Sequence, residues 1–550
     1  MRRRSRLIGA LLALPLCFLA AGCGGGATPP PPTSGWIPGT LRIAQRSDFR
    51  SLDPAIANDT ALIPFVRMIF QPLLDYDAAS KLTPLIAEAT PTLSSDGKTY
   101  TYRIRKEVRF TNGRAATADD FIYAWTRLLN PKTKSAGASY IVDKIVGAHD
   151  YADGKAESVA GLHAPDPYTL EVELVEPDLT FPYVTAMTFL APVPREAVEK
   201  YPEEDRNELF SRHPVGTGPY RLKDWRRGLS ARLERDPHYW GPKPPALQVI
   251  DVRFGLDDLT QQMMFERGEL DLTNVVPSPD YVRLRKDLRW LPYLEKLTVN
   301  GEYFLNLNCE MEPFTGPNGK LVRQAFNFAI DKQRLVKISN DRYTAAVGVV
   351  PPNMPGYHSL VKGYSYDPEK AKALLAEAGF PHGLPDPLTL WVPNETSGGV
   401  RLAEVVQQNL EAVGVQVVLN PVNYDAFLPV AGKRGGAAFS LSGWYQDYPD
   451  PSDFLAVLFS THAISDVESN NMAFYSSEKA DRLMEAGGRE PDPDKRMRYY
   501  QEAEEVIVDD AAVVPLVDSV EIWMRQPWVK GFHLHPVWLV RYEELSISPP

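Results

Sequence analysis

The sequence has few cysteines and no surplus of basic residues. Only three cysteines occur in 550 residues, and 59 lysines and arginines stand against 70 aspartates and glutamates, for a formal net charge of −11. An acidic chain without a basic patch argues against nucleic acid as a partner. Hydrophobic residues make up 44% and charged residues 23%. This is the composition of a globular protein, which excludes a disordered chain and a multi-pass membrane protein.

The motifs of common catalytic sites are also missing. The sequence contains no His-Glu-x-x-His, Gly-x-Ser-x-Gly or Cys-x-x-Cys. Gly97-Lys98-Thr99 lacks the upstream glycine of a phosphate-binding loop, and no Lys-Thr-Gly follows Ser476-x-x-Lys479. His533-x-His535 could form a metal pair, but no third ligand is apparent. The sequence therefore favours a binding protein over an enzyme and predicts no cofactor and no metal site.

The one long apolar run lies near the amino terminus. Four of the first six residues are arginines, and an apolar stretch follows over 7–21. That stretch is shorter than the ~18–20 residues that span a bilayer, so residues 1–22 are predicted to be a secretory signal peptide. Residues 23–35 are rich in glycine and proline and predict a flexible linker. No other stretch is long and apolar enough to cross a membrane.

The end of the signal peptide resembles the lipoprotein box of bacteria, because Cys23 follows Ala20-Ala21-Gly22. This resemblance implies that the thiol of Cys23 is acylated and anchors the chain to a membrane. An ordinary signal peptide with an incidental cysteine is the alternative. Cys17 would leave with the signal peptide, so Cys309 would be alone and no internal disulfide could form.

Strand and helix patterns alternate along the rest of the chain. Alternating apolar residues predict half-buried strands over 100–104 and 170–174. A capping-box-like Thr117-Ala-Asp-Asp120 predicts a helix that ends at Asn130-Pro131. Farther on, the pattern predicts a helix from Asp367 to Gly379.

The segment that follows predicts a strand–helix–strand unit. The strands are expected over 388–392 and 415–422, and the helix between them over 401–413. Units of this kind build an α/β domain with a parallel sheet.

Eight short motifs occur in a fixed order over nearly the whole mature chain. They are Ser51-Leu-Asp-Pro54, Val108-Arg-Phe-Thr-Asn-Gly113, Thr117-Ala-Asp-Asp-Phe-Ile-Tyr-Ala-Trp125, Val215-Gly-Thr-Gly-Pro-Tyr220 with Leu222-Lys-Asp-Trp225, Arg235-Asp-Pro-His-Tyr-Trp240, Arg267-Gly-Glu-Leu-Asp271, Arg323-Gln-Ala-Phe-Asn-Phe-Ala-Ile-Asp331 and Gly443-Trp-Tyr-Gln-Asp-Tyr-Pro-Asp-Pro451. Together they resemble the peptide-binding lipoproteins of bacterial ABC importers, the solute-binding protein family 5 that includes oligopeptide and dipeptide binders.

The resemblance implies an α/β, periplasmic-binding-protein-like fold with two jaws and an extra inserted domain. Lobe I is expected to be discontinuous, over 36–80, 192–296 and 513–550. The inserted lobe II is expected over 81–191. Lobe III is expected over 297–512 and contains the strand–helix–strand unit.

The resemblance also implies a set of ligand-binding residues. In oligopeptide binders, the aspartate of the Gly-Trp-x-x-Asp motif, here Asp447, pairs with the α-ammonium of the peptide. A loop aspartate that caps a turn is the alternative. Trp444 and Tyr445 are expected to line side-chain pockets, although Trp444 could be a plain core residue. Further contacts are expected from Asn58, Thr60, Tyr123 and Tyr424.

The anchor for the carboxyl end of a peptide departs from the family pattern. Well-studied oligopeptide binders have an arginine where this chain has Leu441, and a histidine that aligns roughly with Gly399. Arg401 is a candidate substitute, and so are Lys433 and Arg434. Each of the three could equally be a solvated surface charge.

The expected function is that of an extracytoplasmic receptor that captures peptides and delivers them to an ABC permease. The partners are a peptide and the permease subunits, the protein is expected to be a monomer, and it would be held at the cell envelope by its lipid. A metal chelate, an opine or sugar, or a cell-wall peptide is an alternative ligand. An exported hydrolase and a peptide sensor are alternative functions.

Overall fold

The structure, a computed structural model, describes residues 31–57, 62–394 and 397–549. The predicted signal peptide and Cys23 lie outside these ranges, as do Asn58 and Thr60. Within the described ranges, no helix is both long and apolar enough to cross a membrane. Cys309 is a free thiol.

The described residues form strands and helices in mixed order, which confirms the α/β class. The strands are β1 (Thr40–Ala44), β2 (Leu74–Tyr76), β3 (Leu82–Pro84), β4 (Thr92–Leu93), β5 (Thr99–Arg103), β6 (Leu162–Asp166), β7 (Thr169–Glu173), β8 (Tyr220–Arg226), β9 (Ser230–Arg235), β10 (Val249–Arg253), β11 (Leu272–Thr273), β12 (Leu294–Leu307), β13 (Tyr343–Ala345), β14 (Leu388–Pro393), β15 (Val417–Val422), β16 (Phe439–Tyr445), β17 (Val513–Arg525), β18 (Val529–Lys530) and β19 (Ser546–Ile547). The helices are α1 (Ile63–Ile69), α2 (Ala118–Leu129), α3 (Ala148–Ala152), α4 (Phe181–Val184), α5 (Arg195–Glu199), α6 (Arg206–Arg212), α7 (Asp258–Glu266), α8 (Ser278–Leu284), α9 (Gly319–Ala329), α10 (Lys332–Ile338), α11 (Pro368–Glu377), α12 (Ser397–Glu411), α13 (Tyr424–Ala431), α14 (Ser452–Phe459), α15 (Glu478–Arg489) and α16 (Pro493–Asp509).

A four-stranded sheet has the order β1-β10-β9-β8. β1 and β10 are parallel, and the other neighbours are antiparallel. Leu41, Ile43, Ile250 and Val252 of the two parallel strands are buried in one hydrophobic core. All four strands fall within the ranges that the sequence predicts for lobe I. The division of the chain into three lobes stays a prediction.

A second four-stranded sheet, β4-β5-β7-β6, is antiparallel and falls within the predicted range of lobe II. Tyr100 and Tyr102 of β5 are buried, as their alternation with polar residues predicts. Helix α2 also begins as predicted, because the Thr117 side chain accepts a backbone hydrogen bond and Asp120 accepts the Thr117 N–H at 2.8 Å. Its apolar face buries Phe121 and Trp125 completely.

The largest sheet contains β11-β17-β12-β16-β14-β15, and β13 pairs with the middle of β17, from Val517 to Ser519. β14 and β15 are parallel and are connected by α12, which confirms the predicted strand–helix–strand unit. β17 pairs with β12 along most of its length. The sheet therefore runs across the boundaries that the sequence predicts at 296/297 and 512/513.

Four ionisable side chains are buried where β12 and β17 change register. Glu302 lies opposite Asp518, and Lys332 and Glu504 lie nearby. Burial raises the pKa of Asp518 and of Glu504 to about 7 each, and it raises the pKa of Glu302 well above its usual value. Burial also lowers the pKa of Lys332 to about 8. The core of this sheet therefore holds carboxyl groups that take up protons near neutral pH.

We expect Asp518→Asn to stabilise the protein at about pH 8 and to lose this advantage at about pH 5. A carboxyl whose pKa is raised to about 7 in the folded chain, from ~3.9 in the unfolded chain, contributes stability that is present below about pH 4. That contribution is lost as the pH rises through 7, whereas asparagine stays neutral. Thermal unfolding followed by circular dichroism measures both proteins across this range. The exposed Asp425→Asn on α13 is the control. A pH-independent difference between Asp518→Asn and the wild type would contradict the raised pKa.

Candidate ligand-binding site

The loop between β16 and α14 is held in place by a buried carboxylate. β16 ends at Tyr445, and Pro449 follows in a segment that cannot continue the strand ladder. Asp453, in the first turn of α14, reaches back into this loop. Its Oδ2 accepts the backbone N–H of Asp447 at 3.0 Å and the indole N–H of Trp444 at 3.2 Å. The motif is therefore one hydrogen-bonded unit.

The carboxylate of Asp447 is partly buried and has no cationic partner among the described residues. The hydroxyl of Tyr140 donates a hydrogen bond to it from a short 3-10 helix at Ala136–Tyr140. Burial raises the pKa of Asp447, and the Tyr140 hydrogen bond opposes part of that effect. A carboxylate in this position can receive a positively charged group, because such a group would replace the water that burial removes.

Trp444 and Tyr445 point to opposite sides of β16, as neighbours in a strand do. Trp444 packs against the hydrophobic cluster that contains Phe454. The side chain of Tyr445 is 42% exposed, and its hydroxyl donates to Ser519 Oγ at 2.8 Å. A Cβ at Gly301 would lie 2.6 Å from the Tyr445 ring, so glycine is needed there for the ring to pack.

Tyr445 and Arg401 line one cavity of about 630 Å³. The cavity lies beside β12, β16 and β17, and its walls come from distant parts of the chain. Its lining residues are Arg46, Asp258, Asn274, Val275, Val276, Pro277, Ser278, Tyr303, Ser339, Arg342, Tyr343, Gly398, Arg401, Tyr445, Ser519, Val520, Glu521 and Ile522. Three arginines and two acids among them make the cavity polar.

Of the three cations that the sequence offers for a carboxylate anchor, the structure places only Arg401 in this cavity. Arg401 is exposed, and its guanidinium makes no ion pair within the described part of the chain. Arg434 is engaged in ion pairs with Glu310 and Asp466. Lys433 is exposed but is not part of the cavity wall.

Of the predicted residues, Asp447 and Trp444 are not among those that line this cavity. Two further predicted residues lie elsewhere. Tyr123 lines a separate cavity of about 240 Å³, and the guanidinium of Arg195 lies 4.8 Å from the centre of its ring. Tyr424 is 48% exposed and stacks on Phe427 with ring centres 6.1 Å apart. It is not among the residues that line the cavity containing Arg401.

Three residues that the sequence analysis does not single out belong to the site. Tyr140 contacts Asp447, Ser519 contacts Tyr445, and Arg342 lines the cavity. Ser519 lies on β17 and Tyr445 on β16, with β12 between them. None of the three belongs to a motif, so only the folded chain identifies them.

Comparison with known proteins places the chain in a family. The sequence model for bacterial extracellular solute-binding proteins, family 5, matches residues 81–466. The glutathione-binding protein GsiB of Salmonella choleraesuis strain SC-B67 is 29% identical over 499 residues, which are 90% of this chain and 92% of that protein.

Solved structures of similar fold include two that contain a peptide. The periplasmic binding protein DppA of Helicobacter pylori, in complex with the peptide STSA, superposes with a TM-score of 0.76 at 25% identity, over 92% of this chain and 98% of that chain. Haemophilus influenzae OppA, in complex with RPPGFSPFR, superposes with a TM-score of 0.73 at 25% identity, over 93% and 99%. The family match covers well over half of the sequence, and the chain therefore belongs to family 5 of the bacterial extracellular solute-binding proteins.

Proposed function

We propose that this protein is an extracytoplasmic receptor that captures short peptides and delivers them to an ABC permease. The observation that carries the proposal is the carboxylate of Asp447, which is partly buried and has no cationic partner among the described residues. Two proteins of similar fold hold peptides. The protein acts as a binder and not as an enzyme.

The amino terminus of the peptide binds at Asp447. An α-ammonium beside this carboxylate forms a charge-assisted hydrogen bond and satisfies a charge that burial has partly desolvated. The Tyr140 hydroxyl also interacts with this carboxylate. The anchor therefore recognises the free amino group and not a particular side chain.

The backbone of the peptide pairs with the free edge of β16. β12 covers one edge of this strand from Phe439 to Tyr445. On the other edge, β14 pairs with β16 only at Ser440. Beyond Ser440, no strand in the described ranges pairs with this edge of β16. An extended peptide can add to such an edge through main-chain hydrogen bonds, which do not depend on its sequence.

The carboxyl terminus of the peptide binds at Arg401. Asp447 does not line this cavity, but it is only two residues beyond Tyr445, at most about 7 Å along the backbone, and Tyr445 lines the cavity together with Arg401. A volume of about 630 Å³ lies within the ~300–1,000 Å³ of small-ligand pockets. The ligand is therefore a short peptide with two free ends.

A second candidate ligand carries more than one carboxylate, as glutathione does. It is favoured by Arg46 and Arg342, which line the cavity together with Arg401. The similarity to a protein named for glutathione binding also favours it. Such a ligand would still place an α-ammonium at Asp447.

The position of the receptor in the cell follows from its amino-terminal sequence. Cleavage before Cys23 and acylation of its thiol would tether the protein to a membrane through the linker 23–35. The receptor works there as a monomer, and closure of its lobes around the peptide would create the form that docks on the permease.

Native mass spectrometry of the purified protein, followed by sequencing of the released ligand, tests the function. We expect mixed peptides of one or a few lengths. The proposed contacts recognise the two charged ends and the main chain of a peptide, which do not depend on its side chains. A single mass that matches glutathione would favour the second candidate. A bound metal chelate, opine or sugar would overturn the peptide proposal.

We expect Asp447→Asn to weaken the binding of free-amine peptides by roughly 2–5 kcal/mol, since it removes one member of a buried charge pair. Isothermal titration calorimetry measures the loss, and an N-acetylated peptide should bind both proteins weakly. Asp425→Asn, at an exposed site on α13, is the matched control and should bind as the wild type does. Unchanged affinity of Asp447→Asn would contradict the amino-terminal anchor.

We expect Arg401→Ala to weaken the binding of peptides with a free carboxylate by about 1.5–3 kcal/mol, the value of a hydrogen bond to a charged group. C-terminally amidated peptides should lose little, because they offer no charge to Arg401. Lys433→Ala removes an exposed cation outside the cavity and should leave both affinities unchanged. Equal losses for free and amidated peptides would refute the assignment of Arg401.

A further inference from the structure

Three aspartates lie close together in the loop that follows β16 and in the first turn of α14. Of the three, Asp450 forms an ion pair with an arginine. Arg496 Nη2 lies 2.6 Å from Asp450 Oδ2, and Asp450 Oδ1 also accepts from the Ser452 hydroxyl at 2.6 Å. Within the described ranges, neither Asp447 nor Asp453 has a lysine, arginine or histidine that stabilises its charge.

Asp453 is completely buried, and only one of its two carboxyl oxygens accepts hydrogen bonds from the described residues. Oδ2 accepts the two hydrogen bonds that hold Asp447 and Trp444. Oδ1 is buried as well, and it has no hydrogen-bond partner in the described part of the protein. A neutral side chain with one acceptor oxygen, such as asparagine, would accept the same two hydrogen bonds. The loop therefore does not need the negative charge of Asp453.

The surroundings of the two aspartates favour protonation. Burial raises the pKa of Asp453 well above its usual value, and the neighbouring charges of Asp447 and Asp450 raise it further. Burial also raises the pKa of Asp447. The other titratable groups that face them are the hydroxyls of Tyr140 and Tyr448, which are neutral near pH 7, and Arg496, whose charge is paired with Asp450.

The backbone N–H of Asp447 donates to Asp453, so the two side chains are neighbours. Neighbouring carboxyl groups whose charges repel titrate as a unit, and the second negative charge is costly without a cation. We infer that Asp447 and Asp453 share one proton in the ligand-free protein and that a cationic amino terminus expels this proton when it binds at Asp447. The inference rests on the proposed function and adds Asp453 as a positioning residue of the same site. One proton leaves for solvent as one positive charge enters, so the net charge of the site stays constant and no covalent bond changes.

This exchange makes affinity depend on pH in a defined direction. Binding releases a proton, so affinity rises with pH while the ligand-free pair is still protonated, by up to about tenfold per pH unit for one proton. The rise ends when the pair has titrated, or when the ligand itself loses its α-ammonium proton at about pH 8. An N-acetylated peptide carries no such charge and releases no proton.

Calorimetry with trialanine tests the proton release, because trialanine has no titratable side chain. Titrations at one pH in buffers of different ionisation enthalpy give the number of protons released. We expect up to one proton for the wild type and clearly fewer for Asp453→Asn, which removes the neighbouring charge but keeps an acceptor for Asp447 and Trp444. The affinity of Asp453→Asn should change by less than about twofold per pH unit. Asp425→Asn is the matched control. Trialanine binding without proton release by the wild type would overturn the inference and leave the proposed function intact.

Infrared spectroscopy of the ligand-free protein tests the shared proton independently of any ligand. The difference between wild type and Asp453→Asn should contain a carboxylic acid C=O band that disappears as the pH is raised. Absence of this band would overturn the inference even where peptides bind. If no free-amine peptide binds but the band is present, the proposed function fails and the shared proton stands. If Asp453→Asn does not fold, the number of protons that the wild type releases on binding trialanine still tests the inference.

Discussion

The antiparallel pairing of β12 with β17 is the constraint on which the candidate binding site depends. Its register runs from Leu294 opposite Met524 to Asn306 opposite Val513, with shifts on the way. β16 adds to the other edge of β12, so that Tyr303, Tyr445 and the segment 519–522 line one cavity. A slip by one residue would turn each of these side chains to the opposite face of the sheet. The cavity would then lose its wall, although the composition of the sheet would be unchanged.

Buried carboxyl groups in this chain are either paired with an arginine or left without a cation among the described residues. Asp53 is fully buried and pairs with Arg127, and the buried Asp75 pairs with Arg67. These pairs follow the rule that a buried charge needs a partner. Asp447, its neighbour Asp453 and the core residue Glu504 have no such cation among the described residues. In a protein with a large hydrophobic core, the cost of such a site is small compared with the total burial. Asp447 differs from the other two in being only partly buried, so an external cation could reach it.

The proposed recognition through the ends and the backbone of a peptide would let one fold serve several ligands. The proteins of similar fold hold a tetrapeptide in one case and a nonapeptide in another, as their printed sequences STSA and RPPGFSPFR show. A shared fold does not decide the ligand, because specificity comes from side chains around the site. In this chain, Leu441 and Gly399 stand where the resemblance implies an arginine and a histidine, and Arg401 is the proposed substitute. The proposed carboxylate anchor therefore belongs to α12 and not to β16.

The sequence by itself determined the local elements and the Gly443–Asp447 motif. Helix α2 with its Thr117 cap and the parallel unit β14–α12–β15 follow from hydrophobic period and capping, which act over a few residues. The Tyr140 contact to Asp447 and the Ser519 contact to Tyr445 were decided only by tertiary structure, because they join segments far apart in the chain. The separation of Tyr123 from the Arg401 cavity was decided there too. A local pattern records which face of an element is buried, but it does not record which distant element covers that face.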